Sequence, residues 1–403
     1  MKEQATRKRL RNWAVNLGMG LGGIALALLL VQGLIAVFPR VLPRFLRPDP
    51  YTQRSPRPDD IEVVYTAGDG DLFVAQPGSV APPPDPEEVL TQFGLSFDED
   101  GFRRPIVEAD SYSIVTLGDS FTDDGHQPVP WPDVLADELN VPVRNLGFQG
   151  YGPEDYAAVM SRYGTDEGHD WVIVGYFEGN DFITSIVDDR EGFTLPGVAR
   201  QALMAARGEY TTRDYGEGPW KYPVDMKLGN RTVPLSLFEF YLWFLNGEPE
   251  VYENSLELAA LGDHLASIKA DAGDACVLLA YFPAKAHVYF PYIEDPAAQA
   301  SVLSGAHELT LDADNRVEAV LAPTTGEEII DRLDNQSMVV SALAEDLGIH
   351  FVDVTGPLEQ AAERGEETYY VYDTHWNAYG HEIAGRAVAD HVRSHPECSS
   401  QTP

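Results

Sequence analysis

Cysteine is scarce in this chain: Cys276 and Cys398 are the only two in 403 residues. That excludes a disulfide-dense scaffold and any four-cysteine metal site. Cys276 lies in the apolar run Ala275–Tyr281 and reads as a small core residue; Cys398 falls in a polar tail, and nothing in the pattern supports a bridge between them. Positive charge is scarce too, with 28 Lys and Arg against 64 Asp and Glu. The bases Lys2, Arg7, Lys8, Arg9, Arg11 and Arg40 against Glu3 give residues 1–40 a balance of +5. With −36 overall, the remainder therefore carries −41. Such a surface repels phosphate backbones, which excludes nucleic-acid partners. It also disfavours polyanionic substrates, unless salt shortens the screening length to about 3 Å near 1 M. A salt-rich habitat would account for the acidity. Internal repeats are absent, and the apolar and charged fractions are those of a folded globular chain.

Charge is missing altogether from Ala14 to Phe38, where Leu, Ala, Gly, Val and Ile dominate. As a helix this stretch would cross a hydrocarbon layer of about 30 Å. The basic flank precedes it, so the N-terminus is expected in the cytoplasm and everything after Arg40 outside. An uncleaved anchor is favoured over a cleaved signal peptide, because the run is long and no small-x-small site follows. The expected organisation is a basic cytoplasmic tail (1–13), a transmembrane anchor (14–38), and an extended linker and surface arm (39–110). A main domain (111–395) and a short tail (396–403) follow. The expected location is a bacterial-type inner membrane, single-pass, with the main domain periplasmic or extracellular.

The main domain alternates strand and helix patterns. Ser113–Gly118, Val141–Leu146 and Asp170–Tyr176 read as buried strands, separated by helical patterns at Trp131–Leu139 and Pro153–Tyr163. After an interruption at about 182–249, helix Val251–Ala270, strand Ala275–Phe282, helix Gly326–Leu347, strand His350–Val354 and a last helix from Asn377 restore the rhythm. Glu308–Leu321 reads as a hairpin, and Ile61–Tyr65 and Asp71–Val74 as short strands. Alternation of this kind predicts an α/β fold around a mainly parallel sheet. The interruption contains the aromatic cluster Phe238–Phe244 and is expected to cover part of the sheet end.

Reactive groups in such sheets collect beyond the carboxyl ends of strands. Gly118-Asp119-Ser120 stands at the first strand end, and Asp373-Thr374-His375-Trp376 just before the last helix. Asp and His two apart on extended chain point to one side, so the carboxylate can hold one imidazole nitrogen while the other faces out. With Ser120, these supply a nucleophile, a base and an orienting group. Acyl transfer also needs donors for the developing oxyanion. Glycines of the second turn (Asn145-Leu146-Gly147 to Gly150) and the Asn180 amide of Glu178-Gly179-Asn180-Asp181 are placed to provide them. His126 reads as a loop histidine, and Asp119 and Asp181 as caps or braces of their turns. His381 and Glu382 lack a second histidine at ligand spacing, so neither a metal site nor a cofactor is expected.

These four blocks, in this order, resemble the SGNH (GDSL-type) hydrolases over about residues 112–182 and 350–392. The resemblance implies a three-layer αβα sandwich with a mainly parallel five-stranded, flavodoxin-like sheet. It implies Ser120 as nucleophile, His375 as base and then acid, and Asp373 as its orienting partner. The oxyanion hole would be the Ser120 and Gly150 N–H groups and the Asn180 side chain, with Gly147 as the fallback for Gly150. Two features depart from the common pattern. Glu178 stands where the family usually has Gly, and one residue rather than two separates Asp373 from His375. Asp-x-His-Trp is similar instead to the branch containing the alginate O-acetylation proteins, in which that pair usually precedes the Ser.

The resulting expectation is a membrane-anchored serine esterase acting outside the cytoplasm. It would remove acyl groups, acetyl for preference, from a carbohydrate or small ester through an acyl-serine. An O-acetyltransferase using the same triad is the alternative, and it would need a multi-span membrane partner to deliver the donor. A third reading is an inactive glycan-binding or assembly protein of the same fold, against which the intact Ser, His, Asp and Asn argue. Trp376, Lys285 and Tyr289 are expected at the pocket.

Overall fold

The computed structural model describes residues 60–66, 89–186 and 223–399, apart from 99, 126, 166, 167 and 238, with scattered helical positions between Met19 and Gly33. The chain divides into two units, Met1–Pro58 with Arg190–Gly208, and Asp59–Asp189 with Glu209–Pro403. In the first unit, no helix among the described residues is long and apolar enough to cross a membrane. Most of the stretch expected as an anchor, 14–38, lies outside those residues, as do Asp71–Val74 and His126.

The second unit is built on five strands: β3 (Ile114–Gly118), β4 (Val143–Asn145), β5 (Trp171–Phe177), β8 (Cys276–Phe282) and β11 (His350–Asp353). They are parallel and lie side by side in the order β11-β8-β5-β3-β4. Counted along the chain this is the 2-1-3-4-5 order of flavodoxin-like sheets, in which the crevice opens between the first and third strands. Those strands are β3 and β5. Every residue of both is buried, because helices cover the two faces and a parallel strand then reads as a continuous apolar run.

Alternate strand residues feed two cores. Ile114, Ile173, Leu278 and Ala280 pack with Trp131 and Leu135 of α2 (Trp131–Leu139) and with Ala384 and Val388 of α9 (Ala378–Ser394). Val115, Leu117, Val172, Val174 and Leu279 pack on the other face. There they meet α3 (Pro153–Tyr163), α5 (Leu256–Asp271) and α7 (Asn335–Asp346). The result is helix, sheet, helix. Shorter helices include α1 (Ser120–Asp123), α4 (Asp181–Thr184), α6 (Lys285–Tyr289) and α8 (Thr355–Glu363).

Among the described residues, three antiparallel pairs lie outside the sheet: β1 (Asp60–Thr66) with β2 (Val89–Ser96), β6 (Val224–Leu228) with β7 (Arg231–Leu235), and β9 (His307–Leu311) with β10 (Val317–Leu321). The arm expected to run to residue 110 joins the body earlier. Phe97, Phe102 and Arg103 are buried, and the Phe102 ring meets Tyr163 edge-on at 5.0 Å. Cys276 is not a plain core residue, since it is bonded to Cys398. The bond ties the start of β8 to the C-terminal tail.

Candidate active site

Ser120 begins α1, two residues beyond the end of the buried strand β3. The Asp119 carboxylate caps that helix, its Oδ1 accepting from the Phe121 N–H at 2.8 Å. Thr122, one turn on, points down into the strand ends, and three glycines make room for it. A Cβ at Gly118, Gly147 or Gly175 would stand 2.0, 2.8 and 2.5 Å from a Thr122 side-chain atom. Gly118 also has φ +157°. The serine turn can therefore sit directly on β3, β4 and β5 only with glycine at all three ends.

His375 and Asp373 arrive on the segment 368–377. His375 Nε2 lies 2.8 Å from Ser120 Oγ, and its Nδ1 lies 2.5 Å from Asp373 Oδ1. The same carboxylate oxygen accepts from the His375 backbone N–H at 2.7 Å, which fixes the Asp–x–His geometry. One residue between them suffices because the chain turns back on its own carboxylate. Phe121 lies beside the imidazole, ring centroids 4.9 Å apart, and stacks on Phe177 at 4.0 Å. Burial works against the imidazolium, but Asp373, by charge and by hydrogen bond, together with the charges of Asp124 and Asp119 more than offsets it, so the His375 pKa is raised above 6.5.

The other two turns approach the serine from their own strand ends. Leu146 N–H donates to Thr116 at 2.9 Å and Phe148 N–H to Gly118 at 3.0 Å, which lays the turn after β4 against β3. Asn145 clamps α1, its Nδ2 donating to the Thr122 carbonyl at 2.8 Å. Its Oδ1 accepts from Gly147 N–H, also at 2.8 Å, so the fallback oxyanion donor is already engaged. Gly150 is exposed, with φ +73°. Asn180 stands at the N-cap of α4, and its Oδ1 is buried without a partner. Asp181 accepts from the Phe177 N–H at 2.8 Å and from the Tyr156 hydroxyl at 2.9 Å. Burial raises the Asp119 pKa to about 6, against the Phe121 N–H and His375. Burial, then Asp119, raises that of Asp181 well above the carboxylate range.

Lys285, Tyr289 and Trp376, expected at the pocket, lie buried in the interior instead. Lys285 and Tyr289 hold the 368–377 segment from behind, and Trp376 anchors it from within. The Lys285 ammonium donates to the carbonyls of Tyr370 and Val371 at 2.7 Å each, and to that of Asp373 at 3.2 Å. The Tyr289 hydroxyl accepts from Thr368 N–H at 2.8 Å. Trp376 packs edge-on against Phe121 and Phe282. Standing just past a strand end puts a residue near the crevice, but it does not say on which side of the next segment its side chain falls.

Four further contributors were not evident in the sequence. Glu178 is fully buried and accepts from the Tyr281 hydroxyl (2.5 Å), Ala284 N–H (2.7 Å) and His287 Nδ1 (2.7 Å). That network ties the end of β5 to α6. Arg103 binds the carbonyls of Asp123, Asp124, Gln127 and Pro128 at 2.5 to 3.1 Å and fastens the loop after α1. His381 of α9 brings its Nε2 to 2.7 Å from the buried Asp124 carboxylate, at the end of the serine-bearing helix α1. Tyr241, from the aromatic cluster of the interruption, meets Phe177 edge-on at 5.4 Å.

Comparison with known proteins gives a partial match. Residues 324–403 match the family described as SGNH hydrolase-like domain, acetyltransferase AlgX. No curated protein matches the chain in sequence. Among solved structures, a mutant of Axe2, an acetyl-xylooligosaccharide esterase from Geobacillus stearothermophilus, is similar at 15% identity and TM-score 0.35, over 69% of this chain and 93% of that one. The lipase/acylhydrolase from Enterococcus faecalis is similar at 13% identity and TM-score 0.35, over 70% and 95%.

Proposed function

We propose that this chain, an SGNH-family esterase or acyltransferase, cleaves acyl esters, acetyl for preference, of a carbohydrate or small ester through an acyl-Ser120 intermediate. The observation that carries this reading is the unbroken hydrogen-bonded line from Asp373 through His375 to Ser120. In the first step, Ser120 Oγ attacks the ester carbonyl as His375 Nε2 takes its proton, and Asp373 balances the imidazolium. The tetrahedral oxyanion would be held by the N–H groups of Ser120 and Gly150 and by the Asn180 amide. His375 then returns the proton to the leaving alcohol, and the same steps in reverse, with water, free the acid.

A second reading is favoured by the match to the acetyltransferase family over the segment that includes Asp373–His375. Here a sugar hydroxyl replaces water as the second acceptor. His375 would deprotonate it in the same way, and a multi-span membrane partner would supply the donor. Both readings suit a domain held outside the cytoplasmic membrane by residues 14–38, with the N-terminus inside. The Cys276–Cys398 bond supports that location, since disulfides persist in oxidising compartments.

Purified protein should hydrolyse p-nitrophenyl acetate, and Ser120→Ala should abolish the reaction without changing the circular dichroism spectrum. Absence of hydrolysis and of acyl transfer at every salt concentration would overturn the reading. Acyl transfer to an added glycan that outpaces hydrolysis would select the second.

A further inference from the structure

The amino-terminal end of the sheet, away from Ser120, holds a second cluster of chemically active side chains. His350 opens β11, while His391 lies in the last turn of α9 and His395 caps it. The i, i+4 spacing puts the last two on one helix face. Their ring centroids are 4.4 Å apart, and that of His350 lies 5.6 Å from His391 and 4.6 Å from His395. One ligand atom from each of the three falls within 4.8 Å of the others. The Nε2 of His391 is buried and has no hydrogen-bond partner. His395 Nδ1 lies 2.8 Å from the His391 carbonyl. That bond fixes the proton on Nδ1 and leaves Nε2 as a lone pair.

We propose that His350, His391 and His395 bind one divalent cation of the Zn2+ class, which pins α9 to the sheet. Three neutral imidazoles plus a water form a tetrahedral set suited to that class, and with no carboxylate among them Ca2+ and Mg2+ are disfavoured. Cys276 and Cys398 lie beside His350, with the Cys398 sulfur 3.6 Å from its Nε2. Their sulfurs are spent in the disulfide, so the imidazoles are the ligands. Strand β5 separates this end of the sheet from the Asn180 turn by roughly 20 Å, so the cation takes no part in acyl chemistry. The spacing of His391 and His395 is visible in the sequence. His350 could join them only through the fold.

The test is calorimetric titration of Zn2+ into the full-length, EDTA-stripped protein under non-reducing conditions. One ion per chain should bind, and thermal stability should rise with it. His391→Gln and His395→Gln should each weaken binding by about tenfold or more, with circular dichroism unchanged. The Co2+ form should show d–d absorption without a thiolate charge-transfer band. Failure to saturate would leave the rings as aromatic packing on Trp171 and overturn the proposal. So would affinity unchanged in both folded variants, or binding that appears only after reduction and therefore belongs to the thiolates.

Discussion

His375 can act as a base only if its free lone pair faces Ser120, and Asp373 decides which nitrogen that is. By accepting from Nδ1–H, the carboxylate holds the tautomer with Nε2 bare, 2.8 Å from Ser120 Oγ. With Asp124 and Asp119 it also raises the pKa of the ring above 6.5 against the opposing effect of burial. A base works only when deprotonated, so the rate should climb with pH through this raised pKa and level off above it. We expect the acid limb of kcat/KM to lie above pH 6.5. Asp373→Asn should move it down and lower kcat by about 10³ to 10⁴-fold, the loss known for a triad held in the wrong tautomer. A pH–rate profile checks both, and a limb that stays in place would remove Asp373 from its role. Residues of this kind were legible in the sequence, because Gly118-Asp119-Ser120 and Asp373-x-His375 must keep their order and spacing to work. Glu178 was not. Its departure from the family pattern was visible, but its partners Tyr281, Ala284 and His287 lie more than a hundred residues away.

At the scale of elements, the 368–377 segment has to hold Asp373 and His375 to a fraction of an ångström, yet it is a loop. Lys285 at the start of α6 secures it with three charge-assisted bonds to backbone carbonyls. Burial pushes the Lys285 pKa down to about 7, against the pull of Asp373 and Glu367. A buried ammonium is a poor way to gain stability and a good way to fix a geometry. Lys285→Met should therefore leave the melting temperature unchanged or higher while kcat falls about a hundredfold, the scale of a 1 Å misplacement, with KM little altered. A parallel loss of stability and activity would make Lys285 a folding residue instead. Most core elements were readable because a strand buried on both faces must be apolar throughout, as Trp171–Phe177 is. Where pairing or tertiary contact decides, the pattern misled. β2 appears only because β1 pairs with it across a long connection. The helical pattern Gly326–Leu347 is two helices, Gly326–Arg332 and α7. Asp334, at the break, reaches His287 at 3.4 Å.

For the molecule as a whole, two global constraints act on stability. The Cys276–Cys398 bond spans 122 residues, and closing so long a loop in the unfolded chain stabilises the fold by about 5 kcal/mol on the chain-entropy model. Denaturant titration with and without reductant, or of Cys398→Ser, should show a loss of that order. The other constraint is charge, at −36 overall. The few bases of the domain are shared among acids: Arg393 contacts Glu138 and Asp390, Arg386 contacts Glu138 and Glu382, and Arg332 contacts Glu248 and Glu308. Exposed pairs like these contribute about 0–1 kcal/mol each, so screening them costs little. The excess carboxylates gain more from the same screening. At about 0.1 M salt the screening length is about 10 Å and neighbouring acids repel, whereas near 1 M it falls to about 3 Å and that repulsion is largely gone. Folding stability and turnover of an uncharged ester should therefore rise together from about 0.1 M to molar KCl. Thermal melts and p-nitrophenyl acetate rates across that range check it. A response that is flat or falls would mean that the ion pairs, and not the unpaired acids, dominate the surface energy.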